Sequence, residues 1–398
     1  MNDRHFAWID AAQASQLLGV SRTTLYAYVS RGFVRSQASP GSTRERTYSR
    51  DDVERLRRRT EERRAPDKAA AHALQWGMPI LESSIALIDG RRLFYRGLDA
   101  TTLARSRSLE EVAALIWTGH FETMPPPPVS RVAPPDARAP FVTRAQIMLA
   151  LAAARDPLAF DLRPSSVALT GSGILRLLTR AAIARDQRDG NVDAQLARQW
   201  RVGAAGADLV RAALVLCADH ELNVSSSTAR CVASSGSHPY AVVSAGLSAL
   251  EGPKHGGASA RAEAMLGSLG RERPLRTALS ARLRRGEAIH GFGHPLYRDG
   301  DPRAQLLLDL LSERCARSAE YRFVMEFAQT AASVTGEAPN IDFGLAAVTR
   351  VLELPAGSPL VLFAIGRSVG WIGHAIEQYA TGQLIRPRAK YVGVPPAG

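Results

Sequence analysis

The chain has 398 residues, more than one hydrophobic core usually organises, and 45% are hydrophobic, which predicts two or three domains with ample apolar material. Its formal net charge of +12 suits nucleic acid, an anionic substrate or plain solubility, while three cysteines, Cys217, Cys231 and Cys315, are too few and too odd in number for a disulfide framework and fit a reducing cytosol. The N-terminal MNDRHFAWID has no apolar signal core, and no charge-free apolar run of about 18 residues occurs, so neither secretion nor a membrane span is expected and a cytoplasmic location is.

Residues 8–18 are predicted to form a helix carrying Ile9, Ala12, Leu17 and Leu18, broken at Gly19. Ser21 is a good N-cap for a second helix over residues 22–31, and Gly32 is placed to end it. Helix, glycine-containing turn, helix is the helix-turn-helix pattern. On the second helix Arg22, Thr23, Thr24, Tyr26, Tyr28 and Arg31 are the residues expected to reach phosphates or base edges. Residues 33–48 centre on Ser, Pro and Gly and read as a two-stranded wing; a third helix follows from Ser49 or Asp51 through Arg64. AAQASQLLGVSRTTLYAYVSRGFV and RTYSRDDVERL resemble the winged helix-turn-helix of the mercury-resistance-regulator and excisionase families. Residues 1–68 hold 14 basic and 9 acidic residues, so +5 of the +12 lies here. The resemblance implies duplex DNA as a partner, bound by a dimer because phosphate neutralisation supplies most of the affinity. The alternative is a helical cap or dimerisation module. Residues 65–78, with Pro66 and an alanine run, read as a linker or short helix.

The clearest β signal is residues 83–97, where Ile85-Ala86-Leu87-Ile88 and Leu93-Phe94-Tyr95 flank the hairpin dipeptide Asp89-Gly90. Beyond it the period is helical. Ser108 and Glu111 form a capping box ahead of Val112, Leu115 and Ile116. Met124 to Pro128 begins a proline-rich loop that runs to Pro140. Helices are expected near 145–154, 173–184, 206–218, 241–250, 260–269, 304–334 (whole or broken) and 358–379. In the last, Leu362, Ile365, Val369, Ile372 and Ile376 recur at three- and four-residue steps as a buried stripe. With no βαβ alternation and no repeat, the body is expected to be mainly α-helical.

Several constellations bear on chemistry. ADHELN, residues 218–223, closes an apolar helix; no HExxH or second ligand accompanies His220, so a metal site is not expected. GPKHGGA at 252–258 and GFGHPLYRDGDPR at 291–303 each set one histidine among glycines, and the second adds Arg298 and Arg303. Histidine donates a hydrogen bond or carries a proton near neutral pH, and arginine grips carboxylates and phosphates. Together they suggest a small anionic substrate whose carbonyl is polarised by histidine. Asp342, in PNIDFG, is either a partly desolvated base or a helix cap. Arg367 lies on an apolar helix, where a buried arginine requires an anionic partner. Arg386-Pro387-Arg388 alone would be a solvated tail.

Taken with SIALIDGRRLFYRG, LFAIGRSVGWIGHAIEQ and IRPRAKYVG, these motifs resemble the citrate synthase family, in the family's order from about residue 82 to 393. The resemblance implies a mainly α, two-domain fold behind the winged helix-turn-helix. Residues 1–64 would be the DNA-binding module, 65–78 the linker, 79–256 with 355–398 the large domain, and 257–354 the small domain. It implies condensation of acetyl-coenzyme A with oxaloacetate to give citrate and free coenzyme A, in a homodimer with shared active sites. No metal or cofactor is implied; acetyl-coenzyme A is a co-substrate. By motif position Asp342 would be the base, His255 the donor to the thioester oxygen and His294 the group polarising the ketone. His220, Arg303, Arg367 and the partner subunit's Arg386 would hold oxaloacetate, and Arg298 a coenzyme A phosphate. The glycines are then expected where a closing domain brings backbone close to substrate.

The chain departs from the family at Lys254, at GGASARAEA after His255 and at His290, and residues 121–201 carry no familiar motif. These departures leave the acyl group open. Propionyl-coenzyme A, giving 2-methylcitrate, differs by one methylene, about 1–3 kcal/mol in a pocket. The alternative from another class is a DNA-binding regulator whose citrate synthase-like body senses a metabolite. Sensing does not need a base, so Asp342 favours the enzyme.

Overall fold

The computed structural model describes residues 8–39, 45–64, 81–123, 132–133, 135–183, 190–269, 274–389 and 391–394. The expected linker at 65–78 and the start of the proline-rich loop, Met124 to Pro128, lie outside the described residues. Two compact units divide the chain, Met1–Glu82 and Ser83–Gly398.

The first unit contains β1 (Trp8–Ile9), α1 (Ala11–Leu18), α2 (Arg22–Ser30), β2 (Ser36–Ala38), β3 (Arg46–Ser49) and α3 (Arg50–Arg64). The first expected helix is corrected at its start. Trp8 and Ile9 pair antiparallel with Ser49 and Tyr48, so the sheet is three-stranded in the order β1-β3-β2. Asp10 then caps α1: its carboxylate accepts the Gln13 N–H at 2.8 Å, and the Gln13 side chain returns to the Asp10 N–H at 3.3 Å. This reciprocal box satisfies two of the orphan donors at the helix start. Ser21 caps α2 at the Thr24 N–H (3.2 Å), and Gly32 follows with φ +74°. Ile9, Ala14, Leu25, Val34, Tyr48 and Val53 close a small core. Buried Asp52 accepts from the backbone N–H (3.0 Å) and Nε (2.8 Å) of Arg35, tying α3 to the strands.

The second unit begins with β4 (Ala86–Asp89), β5 (Arg92–Tyr95) and β6 (Leu98–Asp99), an antiparallel sheet in sequence order. Asp89 pairs with Arg92, so the hairpin loop is Gly90-Arg91 rather than Asp89-Gly90. Gly90, at φ +58°, takes the first central position, where a type II′ turn needs glycine. Helices follow: α4 (Ala100–Ser106), α5 (Leu109–Thr118), α6 (Phe141–Ala153), α7 (Pro164–Ile183), α8 (Val192–Gln199), α9 (Ala204–Leu216) and α10 (Val224–Ser234). Next come α11 (Pro239–Leu250), α12 (Gly257–Leu269), α13 (Leu275–Arg284), α14 (Pro302–Cys315), α15 (Ala319–Thr335), α16 (Ile341–Val351) and α17 (Ser358–Thr381).

The capping box of α5 forms as expected, with Ser108 Oγ on the Glu111 N–H (3.2 Å) and Glu111 on the Ser108 N–H (2.8 Å). Helix α7 starts earlier than its apolar pattern predicts, because Pro164 pre-sets φ for a first helical turn. Residues 304–334 are two helices, the second capped by Ser318. Helix α17 is covered on nearly all sides rather than along one stripe. By length and composition it matches a membrane span, yet 89% of its most apolar window is buried inside the protein. It is the central rod of the unit, packed by α5, α7, α9, α10 and α11.

Candidate active site

Two scaffolds converge on the site. The first joins residues 291–293 to 338–340. The Gly291 carbonyl accepts the Asn340 N–H at 2.9 Å, the Gly293 N–H donates to the Ala338 carbonyl at 2.8 Å, and Asn340 Nδ2 donates to the Gly293 carbonyl at 2.9 Å. Gly291 has φ +85°, and a Cβ there would sit 2.8 Å from the Phe343 Cβ. This glycine therefore lets two protein segments touch, which corrects the expectation that it opens the main chain to substrate. The clip delivers His294 from one segment and Asp342 from the other. Asn340, not Asp342, is the cap of α16, accepting the Asp342 N–H at 3.0 Å. Asp301 caps α14 and extends the same scaffold. Its Oδ1 accepts from Arg303 Nε at 2.9 Å, and its Oδ2 from Arg303 Nη2 at 2.8 Å and the Ile341 N–H at 3.0 Å.

The second scaffold is the turn between α9 and α10 packed on α17. Arg367, 1% exposed, donates from Nε to the Cys217 carbonyl at 2.8 Å and lies over the Phe363 ring at 4.7 Å. Its Nη2 has no hydrogen-bond partner among the described residues. His255, in the turn after α11, sets Nε2 2.8 Å from Ser225 Oγ, which lies 2.8 Å from the Asn223 Oδ1 that caps α10.

The scaffolds meet at His220. Its ring stands edge-on to His294 at 5.1 Å, and its Nε2 is 3.1 Å from Tyr297 Oη. Arg303 lies over the Tyr297 ring, 5.6 Å from its centre. His294, His220, Arg303 and Tyr297 are thus one cluster; His255 and Arg367 border Phe363 beside it. A cleft of about 620 Å³, lined in part by His290, Phe292 and Asn340, opens onto Asp342.

Burial, helped by Arg303, pushes His294 down to about 4, and burial with Arg367 does the same to His255. His220 is held well below its ordinary value by burial and by Arg303. All three rings are therefore neutral near pH 7. His294 Nδ1 accepts the Leu296 N–H at 3.1 Å, so the neutral ring carries its proton on Nε2. Burial raises the Asp342 carboxyl, against a hydrogen bond donated by Ser259 Oγ. Burial likewise lowers Arg367.

Arg298 and Arg386 are exposed and do not join this cluster within the chain. Ser225, Ser259, Tyr297 and Asp301 are partners to which the sequence alone assigned no role. Asp301-Pro302 ahead of an apolar run is a legible cap signal; Ser225 and Ser259 lie 30 and 83 residues from their partners and leave no local sign.

In the first unit, Arg22, Thr23, Tyr26 and Arg31 are exposed on or beside α2. Thr24 is half-buried, 3.0 Å from Ser21 Oγ. Tyr28 is half-buried, its ring 6.3 Å from that of Phe33, and packs against the small core.

Residues 73–126 and 164–388 match the family model of the citrate synthase C-terminal domain. The chain belongs to the citrate synthase family. Residues 10–60 match the MerR HTH family of regulatory proteins. The chain is 38% identical to Citrate synthase 2 of Bacillus subtilis over 184 residues, 46% of this chain, and spans about half (50%) of that relative's length. It is 33% identical to Putative citrate synthase 2 of Mycobacterium bovis over 334 residues, 77% of this chain and 88% of that one. Among solved structures, the citrate synthase from Thermotoga maritima superposes with a TM-score of 0.65 at 27% identity, covering 81% of this chain and 96% of that one.

Proposed function

We propose that the chain condenses acetyl-coenzyme A with oxaloacetate to form citrate and free coenzyme A. The observation that carries this reading is the clip that joins the segment bearing a carboxylate of raised pKa, Asp342, to the segment bearing a neutral histidine whose Nε2–H faces away from its own backbone bond, His294.

Asp342 takes a proton from the acyl methyl group; burial makes its anion a stronger base than an exposed aspartate. The enolate oxygen that develops accepts a hydrogen bond from His255. That role uses the tautomer with the proton on Nδ1, in which the Ser225 hydroxyl turns from Asn223 Oδ1 to donate to Nε2. The enolate carbon attacks the keto carbon of oxaloacetate, His294 Nε2–H stabilises the charge moving onto the keto oxygen, and the proton that Asp342 took from the methyl group ends on that oxygen as the new hydroxyl. Water then cleaves the thioester and releases the thiol. A neutral imidazole gives up no full proton while it donates, so the histidines act as fixed dipoles.

Arg367 and Arg303 hold the two carboxylates with His220, and the partner subunit's Arg386 completes the site in a homodimer. Arg298 contacts a coenzyme A phosphate. His294, Arg298, Arg303 and Asp342 all lie within 257–354, whereas His220, His255, Arg367 and Arg386 lie outside it. Catalysis thus requires closure of a small domain, 257–354, on a large one, and closure excludes water during condensation.

The test is thiol release by the full chain. Release that needs both oxaloacetate and an acyl-coenzyme A supports the reading, and comparing acetyl with propionyl assigns the acyl group. No release with either assigns the body to metabolite sensing.

A second reading concerns the first unit. Exposed Arg22, Thr23, Tyr26 and Arg31 favour duplex DNA as a partner, bound by the dimer. A salt titration on duplex DNA tests it; absence of binding at low salt removes it.

A further inference from the structure

Behind Arg367 lies a run of buried charge that the condensation steps do not use. Asp219 is fully buried. Its Oδ1 is 3.2 Å from His374 Nε2, and its Oδ2 has no partner among the described residues. His374 is also fully buried; its Nδ1 makes no hydrogen bond among the described residues and stands 4.0 Å from Glu377 Oε2. Glu377 Oε2 in turn is 3.6 Å from Arg230 Nη1. Glu377 Oε1 is firmly held, accepting the Ser84 N–H at 2.9 Å and Ser84 Oγ at 2.8 Å.

Asp219 is built into place. Its carbonyl accepts from Tyr95 Oη at 3.2 Å, and a Cβ at Gly370 would sit 2.3 Å from its Oδ1. Only glycine at 370 leaves room for this carboxylate against α17. Asp219 is also the residue before His220, and its charge is the largest one opposing the effect of burial on Arg367. Buried polar atoms left unpaired are costly and call for an explanation. Here an unpaired carboxylate oxygen and an unpaired guanidinium nitrogen of opposite charge belong to neighbouring side chains, yet make no hydrogen bond to each other.

We propose that His374 is a positioning residue for keto-acid capture: it holds the Asp219 carboxylate as a counter-charge behind Arg367 and keeps it from closing on the guanidinium that the substrate carboxylate must reach. This inference rests on the proposed role of Arg367 in oxaloacetate binding. With His374 in place, Asp219 stabilises the buried cation while Arg367 Nη2 stays available. Without His374, Asp219 is free to pair with Arg367 and compete with the substrate.

The test is a steady-state comparison of wild-type enzyme with His374→Leu, Asp219→Asn and the double variant, varying oxaloacetate at saturating acetyl-coenzyme A. In His374→Leu the KM for oxaloacetate rises roughly tenfold or more, the low end of coupling between close buried charges, while kcat changes far less. The added Asp219→Asn change brings KM back toward the wild-type value, because the competing anion is gone. His374→Gln, which keeps an N–H for Asp219, holds KM near wild type. A purely structural role predicts the opposite pattern, with losses that add in the double variant. An unchanged KM in His374→Leu, or an increase that Asp219→Asn leaves in place, overturns the proposal. Should His374→Leu alone not fold, the double variant decides: a KM near the wild-type value supports the idea, and a raised one defeats it. Wild-type protein without thiol release would instead defeat the underlying assignment of the reaction.

Discussion

Two buried arginines, Arg303 and Arg367, are held in opposite ways. Arg303 sits at the start of α14 and grips the carboxylate of Asp301, two residues away, through Nε and Nη2. Asp301 in turn accepts the first N–H of α16. Arg367 lies in the middle of α17 and, among the described residues, bonds a backbone carbonyl through Nε and leaves Nη2 unpaired. The Asp301 charge raises Arg303 despite its burial, whereas burial lowers Arg367. One cation is thus part of the scaffold, with a single edge to spare. The other is a buried charge with Asp219 as a counter-charge that makes no hydrogen bond to it.

The contrast gives different outcomes for the same substitution. Arg303→Met leaves a buried carboxylate without its cation, and removing one member of such a pair costs about 3–5 kcal/mol. Denaturant unfolding should show that loss. Arg367→Met removes a charged donor from one carbonyl and a cation that Asp219 does not grip directly, and should cost less, about 1.5–3 kcal/mol. Its effect falls on binding: oxaloacetate affinity, measured by calorimetry, should drop on the order of a hundredfold, as when a charged partner is truncated. Equal stability losses in the two variants would break the comparison.

The smallest effect concerns pH. His294 is held at about 4 by burial, while in the unfolded chain it titrates near its ordinary value of 6.5. Between those two values the unfolded state binds a proton that the folded state does not, so stability falls as pH falls through that window. His294→Asn removes this linkage, and its melting temperature should decline less steeply from pH 6.5 to 4 than that of wild type. Asp342 works in the other direction, because its raised pKa lets the folded state bind the proton first on acidification. Activity still falls in acid, since the base must be ionised.

Legibility in the sequence followed the range of each interaction. The Ser108–Glu111 box, the Gly32 terminus and the helical period of α17 are local, and each was readable. The start of α1 was not, because Trp8 and Ile9 are drawn into a strand by residues forty positions on. The hairpin was visible but shifted by one residue, since glycine at the first central position of a type II′ turn reads almost like an Asp-Gly turn. At the site, His255, His294, Asp342 and the arginines stood out by motif. The atoms that orient them did not. Ser225, Ser259 and the Asp219–His374 pair act across 30, 83 and 155 residues, where only the fold supplies proximity.

The assignment of Asp342 as the base is tested most directly by Asp342→Asn. Thiol release from acetyl-coenzyme A and oxaloacetate should fall about a hundred- to ten-thousandfold, the usual weight of a general base. Oxaloacetate should still bind with nearly wild-type affinity, and the melting temperature should not fall, because burial disfavours the charge that the substitution removes. Turnover at the wild-type rate in that variant would contradict the account.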